Sequence, residues 1–316
     1  MSTLLEEPET DSAVRASAAQ QLRTTMAALR LSFTWWGVRK TLSAQQKSQA
    51  AEAFGAEGDF LSAGKKLIDT SNPRYKAVTA VRGRAVQLWK ALSLPYPEPG
   101  IRLIKHGNLA LIDVQLTSLK DELREAVVGL EEHFSQLKAA AQRRLGELYN
   151  EADYPAALSG LFDMQWDFPS VEPPDYLRRL SPQMYEAEAR RVAARFDEAV
   201  MLAETAFTEE LAKLVERLAE RLSGQTDGKP KTFRDSTVSN LTEFFERFRA
   251  LNVRSNEQLD ELVDQAQQVV RGVEPQQLRD SLSLRQQVAG ELQNVQNSLD
   301  TLLVDRPRRA ILRRPR

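Results

Sequence analysis

Covalent and acid–base catalysis draws mainly on Cys, His, activated Ser and paired carboxylates, and this chain is poor in the first two. It has no cysteine and two histidines, His106 and His133, in 316 residues. Disulfides, thiolate catalysis and cysteine-ligated metals are therefore excluded. Neither histidine has zinc-site spacing, since Glu132-His133 lacks the rest of a His-Glu-x-x-His pattern. There is no Gly-x-Ser-x-Gly elbow to mark an activated serine. The stretch Gly58-Asp59-Phe60-Leu61-Ser62-Ala63-Gly64-Lys65-Lys66 approaches a phosphate loop. It holds five residues between its glycines where four are required, and Lys66 stands where a Ser or Thr hydroxyl would hold magnesium. Carboxylates are plentiful, but Asp121, Glu122, Glu125, Glu131 and Glu132 interleave with Lys120 and Arg124 off an apolar stripe, as on a solvated helix face. The expectation is a protein that is not an enzyme and carries no cofactor or metal.

Charge is segregated although the net formal charge is −1. From Glu151 to Asp175 there are six acids and no lysine or arginine, among the rings of Tyr154, Phe162, Trp166 and Phe168. Asp163 and Asp167 could pair for acid–base work, but nothing nearby supplies the other half of such a mechanism. As an aromatic-anchored surface, Tyr154, Phe162, Asp163, Trp166, Asp167 and Phe168 are the candidate protein-docking residues, and self-packing of the rings is the competing reading. Between Lys65 and Lys105, nine basic residues face two acids. Arg74, Lys76, Arg82 and Arg84, with Tyr75, are candidate nucleic-acid contacts, joined by Arg308, Arg309, Arg313 and Arg314 of an acid-free tail. The apolar stripe Ala77, Val78, Val81, Ala85, Leu88, Trp89 and Leu92 favours a solvated helix face over that reading.

Helices must position these residues. Leu116, Leu119, Leu123, Val127, Leu130, Phe134, Leu137, Ala141, Leu145 and Leu148 recur at steps of three and four, as do Val192, Phe196, Val200, Ala203, Phe207, Leu211, Leu214, Leu218 and Leu222. The spacing predicts two long helices, roughly 116–148 and 182–222, packed antiparallel around an insert. The fold class expected is mainly α: a long antiparallel coiled-coil-like helical hairpin with an irregular tip, flanked by helical bundles, with at most one small β-hairpin. The expected organisation is a disordered start over 1–13 and a basic helical region over 14–100, holding helices near 14–31, 41–54 and 73–92. Trp35 and Trp36 are read there as core. The run Pro95-Tyr96-Pro97-Glu98-Pro99-Gly100 breaks the chain, and 101–112 reads as a β-hairpin around His106-Gly107-Asn108. The hairpin domain covers 113–223 with an acidic aromatic tip at 150–181. A Gly-rich linker at 224–232 leads to a helical bundle at 233–304 and the basic tail 305–316. Within the bundle, helices near 235–251, 256–270 and 274–303 are expected, with Ser255 or Asn256 as a cap. No apolar run is long enough to cross a bilayer and the acidic start lacks signal-peptide character, so a cytoplasmic protein that engages no membrane is expected.

The succession of Phe33-Thr34-Trp35-Trp36-Gly37, Gly100-Ile101-Arg102-Leu103-Ile104, the helix beginning near Ile112, and Phe233-Arg234-Asp235-Ser236 resembles a bacterial and bacteriophage family classed as a domain of unknown function. That family is often encoded near MoxR-type ATPases of the AAA+ class and von Willebrand-type domain proteins. It brings no catalytic residues to carry over. The resemblance implies a non-enzymatic scaffold or adaptor for protein assembly, with a MoxR-type AAA+ ATPase as partner. A nucleic-acid-binding accessory protein of a phage or mobile element is the alternative, and pairing of stripes between chains would give a homo-oligomer.

Overall fold

The computed structural model describes residues 9–223, 225–226, 229–230 and 235–304. In chain order the elements are α1 (Glu9–Thr25), β1 (Met26–Trp35), β2 (Arg39–Thr41), α2 (Ala44–Glu52), β3 (Gly64–Lys66), α3 (Pro73–Ala91), β4 (Ser93–Pro95), β5 (Ile101–Lys105), α4 (Leu109–Glu131) and α5 (Phe134–Leu145). There follow β6 (Phe162–Asp167), α6 (Tyr176–Leu180), α7 (Pro182–Ser223), β7 (Gln225–Thr226), β8 (Lys229–Pro230), α8 (Ser236–Leu251), α9 (Glu257–Val270), α10 (Pro275–Asp280) and α11 (Leu282–Val304). The protein is 69% helical, so it is mainly α. None of the described helices is long and apolar enough to cross a membrane. The N-terminal eight residues, most of the 224–234 linker and the arginine tail lie outside the described residues.

The expectation of at most one small β-hairpin is corrected by a four-stranded sheet in the order β4-β5-β1-β6, beside the ribbons β2–β3 and β7–β8. The helix expected to reach residue 31 stops at Thr25. Thr24 and Thr25 turn their hydroxyls back onto the Gln20 and Gln21 carbonyls, which competes with helix continuation. Beyond them Leu29, Leu31, Phe33 and Trp35 alternate with exposed Arg30, Ser32 and Thr34, the period of a half-buried strand. Strand β5 was expected to pair forward with residues 109–112, but these begin α4, and β5 pairs backward with β4 across the proline-rich turn. Gly100, at φ +81°, closes that turn. The single helix expected over 116–148 is two, interrupted at Glu132 and His133, where the backbone tightens to a bond from the His133 N–H to the Leu130 carbonyl.

The chain divides into two compact units. The first takes the residues up to Ala28, Leu92–His106 and everything from Ser170 onward. Its axis is α7, 42 residues long, or about 60 Å at 1.5 Å per residue. The predicted stripe is buried from Val192 to Leu222 except for half-buried Leu214, and Ala199, Ala212, Val215 and Ala219 widen the buried arc. One partner cannot cover so wide an arc, and α7 packs on α1, α8 and α11. Phe207, Phe244, Phe245 and Phe248 form a ring cluster in this core, with the Arg247 guanidinium 5.8 Å from the Phe207 and Phe244 centroids and ion-paired to Glu210. Buried Arg285 ends α7 by donating from Nε to the Leu222 carbonyl at 2.6 Å and from Nη2 to the Arg221 carbonyl at 2.5 Å. Asn256 caps α9 through the Leu259 N–H, as expected, while Glu274 and Gln277 form a capping box at α10.

The second unit, Leu29–Ala91 and Gly107–Pro169, combines α3, α4 and α5 with strands. Helix α4 buries Ile112, Leu116, Leu123, Val127 and Leu130 and packs against α3 and β6. Each long stripe is covered inside its own unit.

Candidate interaction surfaces

The acidic aromatic segment is internal structure for most of its length. In β6, Phe162, Met164 and Trp166 alternate with Asp163, Gln165 and Asp167, and the strand pairs antiparallel with β1 so that Phe162 lies opposite Trp35, Met164 opposite Phe33 and Trp166 opposite Leu31. Phe162 is 4% exposed and meets Trp35 edge-on at 4.9 Å between centroids, while Trp36 meets Phe134 at 5.7 Å. Such edge-to-face rings stabilise the core by about 1 kcal/mol per pair beyond their burial. Trp35 and Trp36 therefore sit in the aromatic packing, as their sequence context predicts. Tyr154 is also buried, donates its hydroxyl to the Leu67 carbonyl at 2.8 Å, and has its pKa pushed up to about 12 by burial and by the nearby Tyr149 and Asp153. Trp166, half-buried, donates Nε1–H to Asp113 Oδ1 at 2.8 Å. Of the six candidate docking residues only Phe168 leaves a large exposed ring.

The carboxylates of the segment are likewise committed. Asp153 pairs with Lys40 and Lys65, Asp163 with Lys120 at 3.4 Å, and Asp167 with Arg30 across β1 and β6. The Lys40 and Lys65 partners hold Asp153 below the usual carboxylate range, and the Arg30 hydrogen bond does the same for Asp167. For Asp163, burial pushes upward, but bonds from Gln165, the Met164 N–H and Lys120 outweigh it and the net shift is downward. A pair of carboxylates with both pKa values held down is a poor general acid. Among the described residues no group of three or more His, Asp or Glu side chains could hold a metal ion.

The basic helix α3 is divided in use. The Arg82 guanidinium lies over the Phe33 and Trp35 rings at 5.1 and 4.8 Å, and Arg84 pairs with Glu122 at 2.5 Å. Arg74 and Lys76 are exposed. Arg308, Arg309, Arg313 and Arg314 lie outside the described residues. The near phosphate loop takes another conformation: Gly58–Phe60 is a 3-10 turn and Gly64–Lys66 a strand, with the Lys65 ammonium held 2.6 Å from Asp153.

No protein-family model, no curated protein sequence and no solved structure matches this chain. The surfaces are read from their own geometry. One that sequence reasoning missed lies on α6 and the first turn of α7. Tyr176, Leu180 and Met184 are 56%, 77% and 60% exposed, and Tyr176 and Leu180, four residues apart, share a face of α6. Arg178 is occupied on Tyr185, donating Nη2–H to its hydroxyl at 2.7 Å and stacking on its ring. Ser181 breaks the helix at φ −159° and accepts from the Met184 N–H, starting α7. The signal was present as a Tyr-Leu-Arg-Arg-Leu run with large apolar residues and no counterpart stripe.

Proposed function

We propose that the protein is a non-enzymatic cytoplasmic adaptor that docks a protein partner through the apolar surface of α6 and the start of α7. The observation that carries this reading is the exposure of Tyr176, Leu180 and Met184 together, since large apolar side chains grouped at a surface mark interaction sites. Arg179, exposed beside them, supplies a polar rim. The partner proposed is a MoxR-type AAA+ ATPase, by the resemblance carried on Phe33–Gly37 and Gly100–Ile104. The surface adjoins the start of the 42-residue α7.

Purified protein mixed with a MoxR-type AAA+ ATPase tests this by light scattering coupled to gel filtration. Co-elution is expected, with Leu180→Asp plus Met184→Asp weakening it at least about tenfold. These side chains are exposed, so helicity should be retained. An ATPase that does not co-elute, or does so equally well with the variant, would remove the reading. The same run reports whether the protein alone is a homo-oligomer. A second reading, nucleic-acid binding by α3, is favoured by exposed Arg74 and Lys76 and is distinguished by affinity that falls steeply with salt.

A further inference from the structure

The excursion from Arg39 to Lys66 is closed by the antiparallel ribbon β2–β3, in which Arg39 lies opposite Lys66 and Lys40 opposite Lys65. Directly opposed like charges destabilise such a pair, so each face of the ribbon calls for an anion. One face has it. The Asp153 carboxylate, 2% exposed, is ion-paired to both Lys40 and Lys65, and Lys65 also donates to the Leu148 carbonyl at 2.5 Å. A single carboxylate between two ammonium groups still leaves that face positive.

The other face carries Arg39 and Lys66, because side chains alternate along each strand and directly opposed residues share a face. Both are exposed, and neither has a carboxylate partner among the described residues. The next register on this face is Thr41 opposite Gly64. Glycine leaves the face open there, and a Cβ at residue 64 would stand 3.1 Å from the Lys40 carbonyl oxygen. The ribbon, with Ser62 and Ala63, bounds a depression of about 380 Å³ that no carboxylate lines.

We propose that this face of the β2–β3 ribbon binds a phosphate group, with Arg39 as a two-pronged donor, Lys66 as a point charge and the Thr41 and Ser62 hydroxyls as further donors. Strands about 4.8 Å apart bring both cations within reach of one phosphate, whose charge of about −2 matches theirs. The phosphate could belong to a free polyphosphate or nucleotide, or to a nucleic-acid backbone, and the test separates the two sources. Binding here would be distinct from the phosphate-loop reading, in which Lys65 would be the ligand.

The experiment titrates the full chain with inorganic tripolyphosphate by calorimetry and with a fluorescein-labelled single-stranded oligonucleotide by anisotropy. Wild type is compared with Arg39→Gln/Lys66→Gln and, as a charge-matched control, with Arg190→Gln/Arg217→Gln, exposed on α7. At least about a tenfold loss is expected for the ribbon variant and no more than about twofold for the control. Removing an opposed cation pair should not lower the melting temperature, so misfolding does not mimic the loss. Ribbon-dependent binding of tripolyphosphate alone assigns a small phosphate ligand, and ribbon-dependent binding of the oligonucleotide assigns a nucleic-acid backbone. If neither probe binds, or if the two double variants lose binding equally, the proposal is overturned.

Discussion

The two units stabilise themselves by different means. The first is organised around one long helix whose wide apolar arc is covered by three others, and its polar groups finish helices, as Arg285 does at the end of α7 and Asn256 at the start of α9, or pair across the outside of that core, as Arg23 does with Glu172, Arg195 with Glu98 and Arg247 with Glu210. The second has shorter elements and mixes helices with ribbons, and its charges join separate elements: Arg30 to Asp167, Lys120 to Asp163, Arg84 to Glu122, Arg144 to Asp69, and Lys40 and Lys65 to Asp153. In one unit a single apolar cluster around α7 organises the packing; in the other, ion pairs fasten short helices and strands to one another. The difference is measurable because all four tryptophans, Trp35, Trp36, Trp89 and Trp166, belong to the second unit. Tryptophan fluorescence therefore reports that unit, whereas ellipticity reports helices of both.

The largest effect expected is from Phe244→Ala, which empties a fully buried position among Phe207, Phe245 and Phe248. A loss of about 3–5 kcal/mol follows from the lost burial and the cavity. In urea part of the helical signal should be lost at a lower concentration than in wild type while the tryptophan midpoint stays in place. A tryptophan midpoint that moves with it would dissolve the distinction between the units. Next is Asp153→Ala, which leaves Lys65, 6% exposed on its side chain, without its carboxylate. Breaking a fully buried pair costs about 3–5 kcal/mol. Lys65 keeps the Leu148 carbonyl and Lys40 is more than half exposed, so about 2 kcal/mol is expected, read by tryptophan fluorescence. Lys65→Met added to Asp153→Ala should recover part of it, because the stranded charge is gone.

These contrasts also explain what could be read from the residues alone. Steps of three and four between Val192 and Leu222 specify α7 to within a few residues, and Asn256 marks its helix start, because a 3.6-residue period and a cap are local signals. The strands have an equally local signal, but an ambiguous one. Phe162-Asp163-Met164-Gln165-Trp166-Asp167 and Leu29 to Trp35 both alternate with period two, yet from sequence alone the prolines around the first suggest an irregular tip and the helical stretch before the second suggests a helix ending in an aromatic pair. Their pairing spans more than 125 residues of chain, and no local rule supplies such a partner. The same limit applies to Phe162 and Tyr154, which look available until the strand and the Leu67 carbonyl that occupy them are known. Nor could charge counting show that Arg82 lies on Phe33 and Trp35. The opposed cations of β2 and β3 become visible only once register is fixed.

A smaller effect sharpens the comparison from the side of the first unit. Gly100 closes the β4–β5 turn at φ +81° with open space where a Cβ would go. Gly100→Ala should therefore cost about 1 kcal/mol through backbone strain alone. A thermal melt followed by ellipticity would register it, and an unchanged melting temperature would mean that the turn yields to another conformation.

The smallest effect expected is a difference in acid response, and its sign separates the units. Asp153 and Asp163 in the second unit are held below the reference carboxylate value of 3.8, Asp153 by the Lys40 and Lys65 hydrogen bonds and Asp163 by Gln165, the Met164 N–H and Lys120 against the opposing effect of burial. A depressed folded pKa means that the unfolded chain takes up the proton first. The stability these groups contribute is present above 3.8 and drains away as pH falls through the folded values. In the first unit Asp260 is raised above 3.8, chiefly by burial and in spite of its bond from Asn252. Its folded form takes up the proton first, so the cost of burying its charge is relieved as pH falls toward 3.8. Urea titrations at pH 6 and pH 3.5 test this, since urea, unlike guanidinium, does not screen the ion pairs. The tryptophan midpoint should fall on acidification by more than the part of the helical transition that tryptophan does not report. Asp260→Asn, which removes the buried charge, should stabilise the helical transition more at pH 6 than at pH 3.5. A second unit indifferent to acid would mean that its ion pairs only decorate a core already sufficient without them.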